Sequence, residues 1–296
     1  MNAVALLVGL GPLLGWGLFP TIASKIGGKP SHQILGATAG TFIFAVIFAI
    51  VQGIPMPSGS ALILSIISGI GWACAQIMTF MSFGLVGSSR AMPITTAFQL
   101  LGASLWGAFY LGDWAGATSK VIGIVALIAI IIGAYMTVWS EHKTSEKSGY
   151  LKKAVLWLAL GEIGYWAYSA APQAAHIDGM HAFLPQSIGM LLVGIVYGLV
   201  QTFNKKNDES PLKDSVSYKQ IFAGFFFAFG ALTYLISAQP DMNGLATGFV
   251  LSQTSVVLAT LTGIWFLGQR KTKKEMGITV IGLLIILVAA AVTKFI

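Results

Sequence analysis

Charge is what this chain has least of. Only 9% of its 296 residues are Asp, Glu, Lys or Arg, whereas 56% are hydrophobic; a soluble domain carries about 25% charge. That excludes an ordinary soluble fold and makes the chain an integral membrane protein. Cysteine is scarcer still: lone Cys74 leaves no internal disulfide and no thiolate cluster for a metal. No Gly-x-x-x-x-Gly-Lys-Ser/Thr segment is present, so the chain has no ATPase of its own. No polar loop is long enough to hold a soluble domain. The opening Met1-Asn2-Ala3-Val4 lacks the basic stretch of a signal peptide, so the first apolar run is expected to be retained. The net charge of +7 does not mark a nucleic-acid binder, because the cations sit in short loops between apolar segments. Nothing in the chain calls for a cofactor.

What is present is apolar and periodic. Ten segments can be read, at approximately 2–22, 32–52, 60–83, 89–111, 117–139, 151–173, 181–203, 218–238, 244–267 and 275–295. Each can span a bilayer, and spans of this composition are helical because every backbone group must be satisfied internally. The 35 glycines fit, since small residues let membrane helices approach closely. An even number of crossings puts both termini on one side. Among the 17 Lys and Arg residues only Lys120 and Lys294 fall on that side, so the crowded face is expected in the cytoplasm and both termini outside.

The halves read as repeats. Phe109-Tyr110-Leu111-Gly112-Asp113-Trp114 recurs as Trp265-Phe266-Leu267-Gly268-Gln269-Arg270, and the same displacement brings Gly107 onto Gly263. Five spans per unit is odd, so the units, 1–140 and 151–296 around a linker at 141–150, must have opposite orientations. The fold expected is an all-α membrane protein of ten transmembrane helices in two inverted five-helix repeats, a transporter architecture with its site at the midplane. Chance similarity of two apolar helix ends is the plainer alternative.

One stretch, Leu160 to Gln173, concentrates the chemistry. Glu162 falls about eleven residues into its segment, roughly 16 Å at ~1.5 Å per residue, close to the middle of a ~30 Å hydrocarbon layer. A carboxyl there is costly unless protonated, paired or wetted, and such residues mark transport pathways. Helical spacing puts Glu162, Tyr165, Trp166, Ser169 and Gln173 on one face, read here as one wall of a substrate site. Glu162 is expected to carry protons; the plainer reading is a structural acid that stabilises packing. Shifting by the spacing of the first and sixth segments brings Trp16 onto Trp166, and two such rings could sandwich the apolar face of a solute ring; an interfacial anchor is the alternative. Trp72, Gln76 and Thr79 share a face of the third segment, as Thr95 and Gln99 do in the fourth, and Gln253 is a weaker copy in the ninth. Their amides both donate and accept, which suits solute hydroxyls that do both, although interhelical pairing would occupy them equally well. Pro20, Pro93, Pro172 and Pro240 interrupt or flank spans and read as packing kinks. Arg90 reads as a headgroup contact, His176, Asp178 and His181 as a solvated loop, and Asp241 and Asn243 as turn and cap.

Three motifs narrow the family. Gly11-Pro12-Leu13-Leu14-Gly15-Trp16-Gly17-Leu18-Phe19-Pro20-Thr21, Val86-Gly87-Ser88-Ser89-Arg90-Ala91-Met92-Pro93 and Ser237-Ala238-Gln239-Pro240-Asp241-Met242-Asn243-Gly244 resemble the bacterial glucose/ribose uptake family, on its ribose side, within the drug/metabolite transporter superfamily. The similarity runs essentially end to end. It implies a ten-helix porter of the bacterial plasma membrane that imports a monosaccharide, ribose or glucose, with protons. Gln269 stands where the superfamily often has Glu, so no acid role carries over there. The partners expected are the sugar, protons and membrane lipids, with a homodimer compatible and nucleic acid excluded. An exporter of amino acids or cationic metabolites is the alternative within transport, and a passive subunit or receptor would leave the Glu162 face without a purpose. An intramembrane enzyme needs a second deep acid, His or nucleophile, which is missing.

Overall fold

The computed structural model describes residues 3–106, 108, 116–141, 145–204, 210–239 and 241–295, with backbone alone at 145–147, 173, 245, 246, 294 and 295. Among these residues the regular elements are helices: α1 (Ala3–Gly9), α2 (Gly11–Ile26), α3 (Pro30–Gln52), α4 (Gly59–Val86), α5 (Ser88–Trp106), α6 (Ala117–Val138), α7 (Ser145–Ala174), α8 (Gly179–Phe203), α9 (Ser215–Ser237), α10 (Gly244–Gln253), α11 (Ser255–Phe266) and α12 (Lys273–Phe295). Their ends follow local chemistry. Pro30 opens α3, where its missing N–H is not needed, and left-handed Gly53 (φ 63°) closes it. Asp178 and Asp214 cap α8 and α9 by accepting first-turn N–H groups.

Two expected segments are not continuous. The first breaks at Leu10, just ahead of Gly11-Pro12, giving α1 and α2. The ninth breaks at Thr254, whose hydroxyl donates back to the Leu251 carbonyl and competes with the helix ladder. In contrast, α2, α5 and α7 run on through Pro20, Pro93 and Pro172; Pro240 lies outside the described residues. Helix α7 also starts earlier than its apolar pattern, at Ser145. Among the described residues, eight stretches are long and apolar enough to cross a membrane, with α1 and α2 counted together and α10 and α11 joined as Thr247–Phe266. Helices α5 and α7, which carry much of the polar chemistry, are not among them.

Packing is close wherever glycines meet. Helix α4 lies along α7, α2 along α9, α8 against both α3 and α4, and α6 along α12. A Cβ on Gly71 of α4 would stand 2.8 Å from the Gly164 carbonyl oxygen of α7, and one on Gly282 of α12 would stand 2.6 Å from the Gly133 carbonyl of α6. One end of the bundle gathers the cations. There Gln220 at the start of α9 donates to the Ala23 and Gly27 carbonyls at 2.9 and 2.8 Å, and His32 of α3 stands 3.3 Å from Asp214. The first copy of the repeated motif, 109–114, lies outside the described residues. In the second, Gln269 Oε1 accepts from the Ser89 N–H at 2.9 Å, its amide seated over Gly87 (φ 79°), where a Cβ would stand 2.6 Å from it. A neutral amide thus caps the start of α5.

Candidate functional site

The α4–α7 contact builds the polar centre. Glycines at 161 and 164 bring α7 against Ala75 and Gly71 of α4, so the neighbouring side chains are forced to share a small space. The Tyr165 hydroxyl donates to Gln76 Oε1 at 2.8 Å and lies 3.0 Å from Thr79 Oγ1, which also reaches the Ala75 carbonyl at 3.1 Å. Glu162, one turn earlier on α7, is 1% exposed. Neither of its oxygens has a partner of full hydrogen-bond geometry, and only the Trp166 side chain lies near enough to lend a weak bond. A buried carboxyl left this way is rare and calls for a reason.

Beside that centre runs a chain of aromatic rings. Phe227 of α9 is its hub, with Trp72 at 4.2 Å between centroids, Phe19 at 5.6 Å and Trp16 at 6.4 Å. Phe19 continues to Phe80 at 5.9 Å and Phe80 to Phe83 at 5.8 Å. Trp16 also meets Tyr234 at 5.6 Å, and its indole N–H donates to the Phe227 carbonyl at 3.2 Å.

The residues singled out from the sequence therefore divide. Gln76, Thr79, Tyr165 and Glu162 come together, and Trp72 and Trp16 meet through Phe227. Trp166 lies against Gly102 of α5, where a Cβ would collide with its indole, and is 45% exposed. Ser169 is exposed and donates back to the Tyr165 carbonyl at 3.2 Å. The expected single wall is thus split, because Tyr165 and Trp166 are about 100° apart on the helix and turn to α4 and α5 respectively. Thr95 is buried with its hydroxyl unpartnered, Gln99 is half-buried, and Gln253 donates to Ser252 at 3.1 Å beside the Thr254 break. The side chain of Gln173 lies outside the described residues. Asn243 does not cap α10; its amide ties the Ala5 carbonyl to Ser237 Oγ. Asp178 instead caps α8 and pairs with His181 at 2.6 Å.

Phe227 escaped the sequence reading because it lies in the run Phe225-Phe226-Phe227-Ala228-Phe229, which has no alternation of its own. The available signal was its small neighbours: Gly224, Gly230 and Ala231, at i−3, i+3 and i+4, mark the packed face. Gln220 and Gln33, which the sequence pattern did not single out, are both buried.

An apolar helical bundle with amides, hydroxyls and a carboxyl sealed inside is the interior of a membrane transporter, not of a passive anchor. The chain belongs to the sugar transport protein family, whose model matches residues 7–296. Among curated relatives, a protein of Enterococcus faecalis is 70% identical over 296 residues, covering 100% of both chains. Another, of Lactobacillus johnsonii, is 71% identical over 293 residues and covers 99% of each. Both are named for ribose uptake (RbsU). A solved crystal structure matches with a TM-score of 0.61 over 99% of this chain and 96% of its own, at 17% identity, and so speaks for the fold alone. The relatives are named for transport rather than for a reaction.

Proposed function

We propose that this multi-pass membrane protein imports a monosaccharide of the ribose type by alternating access, coupled to protons through Glu162. The observation that carries the reading is the unpartnered carboxyl beside the Tyr165–Gln76–Thr79 cluster. Among the described residues no cation stands beside it, so a charge held there is costly while the site stays sealed from water. Opening the site to either side would wet it and let it exchange its proton, which is the step a symporter needs. The amide and hydroxyls next to it match a neutral polyol, and the sequence places no Lys or Arg at this depth to hold an anion. The names of the relatives support ribose over other sugars.

Ten crossings in two inverted five-helix units belong to the same proposal. Under such a twofold, α2 against α9 corresponds to α7 against α4, α3 against α9 to α8 against α4, and α2 against α11 to α7 against α5. Each of these pairs packs. Helices α6 and α12 correspond to each other, in keeping with the reciprocal approach of Gly133 and Gly282. The cation-rich end then faces the cytoplasm of a bacterial cell, with both termini outside.

The test is uptake of labelled sugars into proteoliposomes under an imposed pH gradient, across a panel of pentoses, hexoses and amines. Ribose should accumulate above its external concentration only when the outside is acidic. Accumulation of an amine or amino acid instead would favour the exporter reading. Uphill ribose accumulation by Glu162→Gln would remove the coupling role.

A further inference from the structure

At the cation-rich end, α2, the turn after it, the start of α3, α4 and α7 surround a cavity of about 450 Å³, within the range of about 300–1,000 Å³ typical of small-molecule sites. Its polar lining comes from Ser24, Gln33, Trp157 and Lys153, and its apolar lining from α4, chiefly Phe80 and Phe83. None of these polar groups belongs to the centre described above. Two of their atoms, Ser24 Oγ and Trp157 Nε1, are buried in the wall with no intramolecular partner. The Gln33 amide makes one long bond, 3.4 Å, to the Ala23 carbonyl.

The cavity stops just short of the polar centre. Phe80, 2% exposed and packed on Phe19, follows Thr79 directly in α4. On α7, Trp157 precedes Glu162 by five residues, about 7.5 Å along the axis. One aromatic layer therefore separates the two.

The lining also indicates what would fill the space. An indole N–H only donates, whereas a serine hydroxyl and a glutamine amide both donate and accept. A ligand that satisfies all three must offer acceptors and donors, and the phenyl rings ask for an apolar C–H face. A neutral polyol does this. An anion would answer Trp157 and the single exposed cation, Lys153, but would supply no donor for Gln33.

We propose that this cavity is a second monosaccharide subsite on the exit side, where Trp157, Ser24 and Gln33 hold the sugar after it has passed the Phe80–Phe19 layer. The proposal rests on the transport reading above. Counterflow of labelled ribose in membrane vesicles of both orientations tests it. In S24A and W157F, half-saturation by ribose offered at the cation-rich face should rise about fivefold, with that at the opposite face within about twofold of wild type, as expected for losing a neutral hydrogen bond on one side only. W139F, a ring at the same end but outside the cavity, should change neither. S24A deletes a hydroxyl that has no partner, so its folding is not at risk. An equal rise at both faces, or no rise at either with normal flux, overturns the subsite while leaving transport intact. Absence of saturable ribose flux in the wild type removes both readings. Inhibition from the cation-rich face by a phosphorylated pentose but not by ribose would assign the cavity to an anion and overturn the proposal.

Discussion

The α4–α7 and α2–α9 interfaces are built alike and filled differently. In each, two helices touch through glycine: Gly71 against Gly164 in one, Gly15 against Gly230 in the other, where a Cβ on Gly230 would stand 2.9 Å from the Trp16 backbone nitrogen. Beside the first contact lie Glu162, Tyr165, Gln76 and Thr79. Beside the second lie Trp16, Phe227 and Tyr234, rings whose one direct polar tie is an indole N–H to a main-chain carbonyl. The steric solution is common to both and the chemistry is not. Close backbone approach is therefore shared by the two interfaces, whereas the ionisable and amide groups lie at the first alone.

The largest effect should come from the polar interface alone. Glu162→Gln should abolish proton-driven ribose accumulation yet leave exchange of labelled for unlabelled ribose, since the amide keeps the shape and removes the titration. Loss of exchange as well would make Glu162 a structural group. Next comes a test in which both interfaces should respond together. Gly164→Val and Gly230→Val drive a branched side chain into backbone that cannot yield, at a cost of at least ~1–3 kcal/mol each. Detergent melting temperatures should fall in both, while Gly277→Ala, with open space around it, should not move. If only one of the two variants is destabilised, the scaffold is not shared.

A finer contrast separates the rings. Tyr165→Phe leaves Gln76 Oε1 without its donor, a loss of ~1–3 kcal/mol, and should raise the half-saturation for ribose by about tenfold, the equivalent of ~1.4 kcal/mol. Trp16→Phe removes one bond to a main-chain carbonyl and should lower stability by ~0.5–1.5 kcal/mol with half-saturation unchanged. Equal rises in the two variants would place Trp16 at the sugar site, as its alignment with Trp166 predicts.

Much of this was readable from the chain because the bilayer imposes length and apolarity on every span. The apolar runs that form α3, α4, α6, α8, α9 and α12 follow from that constraint. What could not be read is which helix each face meets. Tyr165 and Trp166 are adjacent in sequence, and only the packing of α4 and α5 on either side of α7 decides that one is buried and the other half-exposed. Likewise Trp16 and Trp166 align by shift yet meet different neighbours, Phe227 and Tyr234 in one case and Gly102 in the other. The breaks at Leu10 and Thr254 fall at residues with less breaking power of their own than Pro20, Pro93 and Pro172, through which helices supported by their neighbours run on.

The smallest expected effect lies outside both interfaces, where α6 meets the loop before α12. Lys271 donates to the Thr137 carbonyl at 2.6 Å. Burial, with the Arg90 guanidinium as a second cause, pushes its ammonium down to about 8, against ~10.4 for a free lysine. Between those values the unfolded chain binds a proton that the folded chain has released, so stability rises with pH across that window and is flat below it. The wild-type melting temperature should thus gain on that of Lys271→Gln as pH goes from 8 to 10. A constant gap over that range would mean that the ammonium is solvated and ordinary. In that case the loop does not press it against Arg90, and this corner, unlike the two glycine contacts, is loosely packed.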